Sequence, residues 1–337
     1  MSLEQKLAFE PTFPIHPLWH TKTESWHRHY PKGVPRGFAI EPLRAEQLLL
    51  RSVASFPQRH ALRYFQTHWT YEEFLRRVQT VAANLQRIGI GVGDRVVLGL
   101  PNCPEFAAAW FALHWIGAQV VPTNPLLTTK ELSHLADKTQ AKAMFGLDMK
   151  LAPLAECVRQ RPGTILISAS LAPHLPWHWS LPYRLKVALD PNSRPPQGIR
   201  FHKFSELYRN VSPLTEPVLH DPGLPAVLQP TGGTTGLPKL AVLTHANLHA
   251  NLTQVHLWSG LQPGKEVVLA VLPFFHIFGS MVSLLSPIAG AATILPQARF
   301  VPSVIWKVIE KWKPTVIPMV PFMFSGLCDE MERRKRS

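Results

Sequence analysis

Leu228-Gln229-Pro230-Thr231-Gly232-Gly233-Thr234-Thr235-Gly236-Leu237-Pro238-Lys239 decides how this chain is read. From Thr231 to Lys239 it sets three glycines, three threonines and one lysine directly after a short apolar run. Glycine has no Cβ, so successive N–H groups can turn into one concavity, a nest able to hold a phosphate. Threonine hydroxyls add donors on short, stiff side chains, and Lys239 brings a mobile cation to a phosphate oxygen. A Walker A loop is excluded, because Pro238 precedes Lys239 where that motif needs glycine. The stretch reads as a phosphate loop of another kind. Its alternative is a flexible surface turn, since Gly, Thr and Pro crowd loops anyway.

The chain around it has 337 residues, enough for a sizeable core in one large or two modest domains. Hydrophobic residues make up 46% and charged residues 17%, which describes a packed protein and excludes a disordered one. Cys103, Cys157 and Cys328 are widely separated and odd in number. They suggest neither a disulfide framework nor a zinc spacing, and the natural setting is a reducing cytoplasm. No secretory signal is expected, since Glu4 and Lys6 stand where an apolar segment would lie. The net charge of +13 suits an anionic membrane face or polyanionic small molecules such as ATP and CoA. Basic residues are scattered apart from Arg333-Arg334-Lys335-Arg336, with no RNA-binding or helix-turn-helix pattern, so no nucleic acid is expected as partner.

Residues 1–40 are rich in Pro, His and Trp without periodicity and read as an N-terminal extension. Residues 41–220 read as a first α/β subdomain and 221–337 as a second that carries the phosphate loop. Phe74, Val78, Val81, Leu85 and Ile88 recur at spacings of three and four and predict a helix from Thr70, which Gly89 and Gly91 stop. A buried strand is expected at 95–100, a helix at 104–116, a short strand at 118–121 and another helix opening at Thr129. That rhythm belongs to a parallel sheet covered on both faces. Residues 267–298 contain no Lys, Arg, Asp or Glu and exceed the ~20 residues of a membrane span. Pro273, His276, Gly279, Pro287, Gly290 and Pro296 break the run, which favours a strand, a loop and a core helix.

Two further segments carry candidate chemistry. His174-Leu175-Pro176-Trp177-His178-Trp179-Ser180-Leu181-Pro182-Tyr183-Arg184 mixes tryptophan, tyrosine and basic residues as a membrane interface does. Its two prolines argue against an amphipathic helix, so a surface loop is expected. His245 and His249 are four apart, as zinc-ligand pairs are, but no glutamate lies between them and no cysteine lies near. A helix following the phosphate loop accounts for them without a metal.

The loop and its continuation, Ala241-Val242-Leu243-Thr244-His245-Ala246-Asn247-Leu248, closely resemble the signature of adenylate-forming enzymes, the AMP-binding acyl-CoA synthetases. The pair Gly232-Gly233 is most like the long-chain fatty acyl-CoA ligase branch. Leu272-Pro273-Phe274-Phe275-His276-Ile277-Phe278-Gly279 resembles the family's Leu-Pro-x-Phe-His-x-x-Gly element, and Lys313-Pro314-Thr315-Val316 its strand entry before the nucleotide-recognition residues. Thr70-Tyr71-Glu72-Glu73-Phe74, Gly93-Asp94-Arg95-Val96 and Val121-Pro122-Thr123-Asn124-Pro125-Leu126 fall in the family's order upstream. The resemblance runs from about Tyr30 to about Leu327, and several ordered blocks are far more specific than any one. One departure is Leu240 where the family commonly has glycine; a branched side chain there limits how closely the loop folds over a phosphate.

The resemblance implies an α/β fold, the N-terminal domain of the adenylate-forming enzymes, with layered α-β-α subdomains and largely parallel sheets. It implies a two-step reaction on a carboxylic acid, here a fatty acid, with ATP, Mg2+ and CoA. Thr231, Gly232, Gly233, Thr234, Thr235, Gly236 and Lys239 would cradle the β- and γ-phosphates, and His276 would line the acyl and adenylate pocket. The family's Tyr-Gly-x-Thr-Glu element, with its magnesium glutamate, lies downstream of the Lys-Pro-Thr strand. All five tyrosines here (Tyr30, Tyr64, Tyr71, Tyr183, Tyr208) precede the loop. Neither that element, nor the ribose-binding Thr-Gly-Asp, nor the C-terminal lid domain with its lysine is in this sequence, so the polypeptide alone is expected to be inactive or nearly so. The basic ending reads as an arbitrary stop of the kind a frameshift or split gene leaves, with a separately encoded C-terminal portion as partner. The expected location is cytoplasmic, with peripheral contact on the inner face of the membrane. The alternatives are a non-catalytic nucleotide- or acyl-binding module and an adenylating enzyme for another carboxylic acid.

Overall fold

The computed structural model describes residues 28–335 apart from 36, 38, 195–196, 210 and 233–238. Most of the extension expected over residues 1–40 therefore lies outside the described residues. In chain order the strands are β1 (His60–Tyr64), β2 (Thr67–Thr70), β3 (Arg95–Leu98), β4 (Gln119–Pro122), β5 (Ala143–Leu147), β6 (Ile165–Ala169), β7 (Arg200–Lys203), β8 (Pro225–Thr231), β9 (Lys239–Thr244), β10 (Val267–Ala270) and β11 (Thr293–Pro296). The helices are α1 (Ala45–Ser55), α2 (Tyr71–Arg87), α3 (Pro104–Trp115), α4 (Thr129–Thr139), α5 (Leu151–Arg159), α6 (Trp177–Leu189), α7 (His245–Ser259), α8 (Ile277–Ser280), α9 (Ser286–Ala289), α10 (Pro302–Trp312) and α11 (Pro321–Lys335).

The strands form a seven-stranded sheet, β7-β6-β5-β3-β4-β8-β9, and a four-stranded sheet, β10-β11-β1-β2. Every pairing in the larger sheet is parallel except β8 with β9, and in the smaller one only β1 with β2 is antiparallel. The layers follow from strand alternation. Val96, Leu98, Val120, Phe145, Ile165 and Val227 face a core shared with α1, α2 and α3. Val97, Val121, Met144, Leu166 and Leu228 face the other way, onto α4 and α5. Leu62, Ala270 and Ile294 of the smaller sheet join the shared core, while Leu269 and Leu295 turn outward to Ile305 and Leu327 on α10 and α11. The order is helices, sheet, helices, sheet, helices. Helix α3 occupies the middle layer, and all of its residues are buried. A helix that is apolar all round has no other stable place.

The sequence pattern predicts α2, β3, α3, β4 and α4 at these positions. Thr70 closes a capping box at the start of α2, accepting from the Glu73 N–H at 3.2 Å while Glu73 accepts from the Thr70 N–H at 2.9 Å. The division at residue 220 is not followed by the sheets: β8 and β9 complete the larger sheet, and β1 and β2 pair into the smaller one beside β11. Residues 267–298 form β10, α8, a π-helical turn (Met281–Leu285), α9 and β11. No helix among the described residues is long and apolar enough to cross a membrane.

The loop expected at 174–184 is a helix instead. Pro176 stands at the N-cap of α6, where no N–H is needed, and Pro182 sits inside it. Two inward contacts hold the helix despite the missing bond: the Tyr183 hydroxyl donates to Asp148 Oδ1, and Ser180 Oγ donates to the Ala172 carbonyl at 2.8 Å.

A chain of histidines fastens residues 43–45 to α7. His245 Nδ1 accepts from the Ala45 N–H at 3.3 Å, which puts its ring proton on Nε2, 3.0 Å from His220 Nε2. His220 Nδ1–H then donates to the Val218 carbonyl. His249 Nδ1 accepts from the Leu43 N–H, and Arg44 and Glu46 pair beside them. The two histidines of the zinc-like spacing thus spend a nitrogen each on the backbone. Among the described residues, no group of three or more His, Cys, Asp and Glu is arranged to hold a metal. Burial pushes the pKa of His245 down to about 2, with His114, His220 and Arg44 adding to it, and those of His114 and His249 down to about 4.

These groups titrate near 6.5 once unfolded, so acid protonates the unfolded chain first. The stability they confer is complete above that pH and is lost as pH falls toward the depressed folded values. Urea midpoints should therefore drop between about pH 7.5 and about pH 5, as the unfolding free energy falls by roughly 1–3 kcal/mol per pH unit below 6.5. His245→Gln should flatten part of that slope, and midpoints equal across the range would contradict the assignment.

Candidate functional site

Strand β8 runs parallel to β4, and β4 to β3, so their carboxyl ends open at one edge of the larger sheet. Beyond such an edge is where α/β folds bind ligands. Strand β9 returns antiparallel with Lys239 opposite Thr231, and the Thr231 hydroxyl donates to the Lys239 carbonyl at 3.2 Å. Gly233, Thr234, Thr235 and Gly236 lie outside the described residues. Gly232 is exposed, with nothing within 4 Å of where a Cβ would stand, and the Lys239 side chain is exposed as well.

Leu240, the departure from the family pattern, packs against the outer core that contains Leu228. Consecutive strand residues point to opposite faces, so its bulk is directed away from the face taken by Lys239. Strand β9 passes directly into α7: Thr244 Oγ1 accepts from the Asn247 N–H at 3.1 Å, and Asn247 Oδ1 accepts from the Thr244 N–H at 3.0 Å.

The second candidate block follows β10 of the smaller sheet. Asn102, buried in the turn after β3, holds it in place: Nδ2 donates to the Ala270 and Leu272 carbonyls at 2.9 and 2.8 Å, and Oδ1 accepts from the Phe274 N–H at 2.7 Å. Gly279 lets the start of α8 press onto the same turn, for a Cβ there would sit 2.0 Å from the Pro273 carbonyl oxygen. His276 caps α8, its Nδ1 accepting from the Phe278 N–H at 3.3 Å. In the neutral ring the proton is then on Nε2, so the exposed edge of His276 can only donate.

Gln229 joins the two blocks. It is buried in β8, two residues before Thr231, and its Nε2 donates to the Phe275 carbonyl at 3.2 Å. Its Oε1 has no partner among the described residues. The structure thus brings the base of the phosphate loop and the His276 turn together where the carboxyl ends of both sheets meet. Neither of two surface recesses, one lined by His256 and Gly290, the other by Lys150 and Asn192, includes Thr231, Lys239 or His276. Asn102 and Gln229 are the residues the motifs do not announce. Their signal is a lone polar residue inside or just after an apolar strand run.

This layered, largely parallel-sheet architecture is that of the adenylate-forming enzymes. The chain belongs to the AMP-binding enzyme family, whose sequence model matches residues 49–337. It is 31% identical over 317 residues to a long-chain-fatty-acid--CoA ligase of Bacillus subtilis, covering 91% of this chain and 55% of that protein. It is 27% identical over 275 residues to 4-coumarate--CoA ligase 1 of Arabidopsis thaliana, covering 79% and 45%. Among solved structures, a long-chain-fatty-acid-CoA ligase from Archaeoglobus fulgidus superposes with a TM-score of 0.72 at 22% identity, covering 90% of this chain and 56% of its own. The chain spans about half the length of the relatives it matches.

Asn102→Ala strands two carbonyls and one N–H in the interior, at about 3 kcal/mol of stability. Gly279→Ala forces the α8 start off Pro273, at about 2 kcal/mol or more. Urea unfolding measures both, and a loss below about 0.5 kcal/mol in either would refute the staple.

Proposed function

We propose that this chain is the nucleotide- and acyl-holding front portion of an AMP-forming acid–thiol ligase acting on long-chain fatty acids. The observation that carries it is the hairpin β8–β9, with Lys239 opposite Thr231 at the carboxyl edge and the His276 turn bound to the same strand through Gln229. In the first step a carboxylate oxygen attacks the α-phosphate of ATP and pyrophosphate leaves. In the second the CoA thiolate attacks the acyl carbonyl and AMP leaves. Charge neutralisation at the leaving pyrophosphate matters more here than a covalent nucleophile. Thr231, Gly232, Gly233, Thr234, Thr235, Gly236 and Lys239 would hold the β- and γ-phosphates through N–H groups, hydroxyls and one cation. His276, donating from Nε2, would hold the acyl carboxylate or an adenylate oxygen. The double glycine and the Bacillus subtilis relative support a fatty acid; the Arabidopsis relative keeps aryl acids as the competing class.

Magnesium does not fit Glu266, Glu310 or Glu330, three of the carboxylates that follow the loop. Glu266 accepts from the Thr315 hydroxyl, Glu310 from the Trp306 indole, and Glu330 is gripped by Arg333 and Arg334. No step is assigned to a metal here. Those engaged carboxylates also favour a second reading, nucleotide binding without turnover.

Calorimetry should detect ATP or an acyl-adenylate mimic binding to the chain, with Lys239→Ala weakening it by about tenfold or more. Pyrophosphate release from ATP, magnesium and palmitate should be absent with the chain alone and should appear when a C-terminal portion of a relative is supplied in trans. Binding without release in the complemented sample selects the second reading. No binding at all overturns both.

A further inference from the structure

Helix α6 is packed the wrong way round for a surface helix. Its inward contacts come from Ser180 and Tyr183, and none of its residues is buried. Its outward face is apolar: Trp177, Leu181, Leu185 and Leu189, four residues apart and therefore in one stripe, are 77%, 64%, 57% and 70% exposed. Exposed Trp179 flanks the stripe and packs edge-on against Phe65, which is itself exposed at the β1–β2 turn. Such a surface must be covered by something.

Charge says what covers it. The helix contains Arg184 and Lys186, both exposed, and no acidic residue. At 100° per residue these two fall on opposite sides of the leucine stripe. Toward the C-terminal end of α6, Lys150 and Arg194 are also exposed, and Asp190 at the C-cap accepts from the Asn192 N–H. The nearby Asp148 is spent on the Tyr183 hydroxyl, on the inward side. An apolar stripe with tryptophan at its end and a cation on each side matches the cross-section of an anionic bilayer surface: acyl chains below, phosphates at the flanks. A protein partner would be expected to answer the stripe with its own apolar surface and would gain little from cations on both margins.

We infer that α6, with Phe65 beside it, is a docking surface for a bilayer containing anionic phospholipid. The helix lies in the interface plane, with Trp177, Leu181, Leu185 and Leu189 in the acyl boundary and Arg184 and Lys186 on headgroup phosphates. Pro182 suits this role, since a proline-bearing helix gains from an outer surface that fixes it. The inference is independent of nucleotide binding and stands whether or not the ligase reading does.

Vesicle flotation with the full chain tests it. Vesicles of phosphatidylcholine and phosphatidylglycerol should carry the protein up the gradient, pure phosphatidylcholine about tenfold less, and salt should weaken the former. The triple variant Trp177→Ser, Leu181→Ser, Leu185→Ser should lose binding by about tenfold or more, with an unchanged melting temperature because every position is exposed. Arg184→Gln with Lys186→Gln should remove the preference for phosphatidylglycerol. Phe322→Ser, an exposed apolar position on α11, should bind as the parent does. Undiminished flotation of the triple variant overturns the inference. So does a self-associated parent, by sedimentation, that the triple variant renders monomeric, for the stripe would then be covered by a second copy.

Discussion

The lack of a polar face on α3 constrains everything else. Pro104–Trp115 buries Phe106, Trp110, Phe111 and Trp115 at once, so neighbouring layers must close over it from every side. One sheet alone covers one side of a helix. The second sheet, supported by α1 and α2, supplies the rest of the shared core. Two sheets therefore stand at a fixed separation, and the turns that follow β3, β8 and β10 meet at one end of the sandwich. Burying aromatic side chains is the largest gain on offer here, at about 1.5–3 kcal/mol each, and the site's geometry follows from it.

At that meeting point the structure uses buried amides where many proteins use water. Asn102 satisfies two carbonyls and one N–H of the Leu272–Phe274 turn, and Gln229 reaches the neighbouring carbonyl from the other sheet. These bonds do no chemistry. They tie the lysine-bearing hairpin to the histidine-bearing turn through buried bonds.

Much of this was legible in the sequence, for a physical reason. The three-and-four spacing from Phe74 to Ile88 and the apolar run after Arg95 reflect local geometry, and local geometry is what periodicity encodes. The glycine-threonine loop reads as a phosphate nest from composition and order alone, and residues 233–238 lie outside the described residues. Three things were not legible. The way the sheets combine strands from both sides of residue 220 was one, because β1 and β2 pair beside a strand far along the chain, which no local pattern records. Helix α6 was hidden by Pro182, whose cost is offset by Tyr183 and Ser180 contacts that exist only in the folded state. Asn102 and Gln229 look like ordinary polar residues until the partners appear.

The pairing of Leu62 with Ile294 has a consequence for how the protein is made. A ribosome delivers β1 and β2 long before β11. At about 5–20 residues per second the hairpin waits roughly ten seconds to a minute for the strand that covers its open side. During that interval an unsatisfied row of amides and carbonyls and the underside of the central helix layer are open to the surroundings. The folding of this chain thus depends on a strand pairing between distant parts of the sequence, and a chaperone that shields the hairpin until translation passes Pro296 would raise the yield.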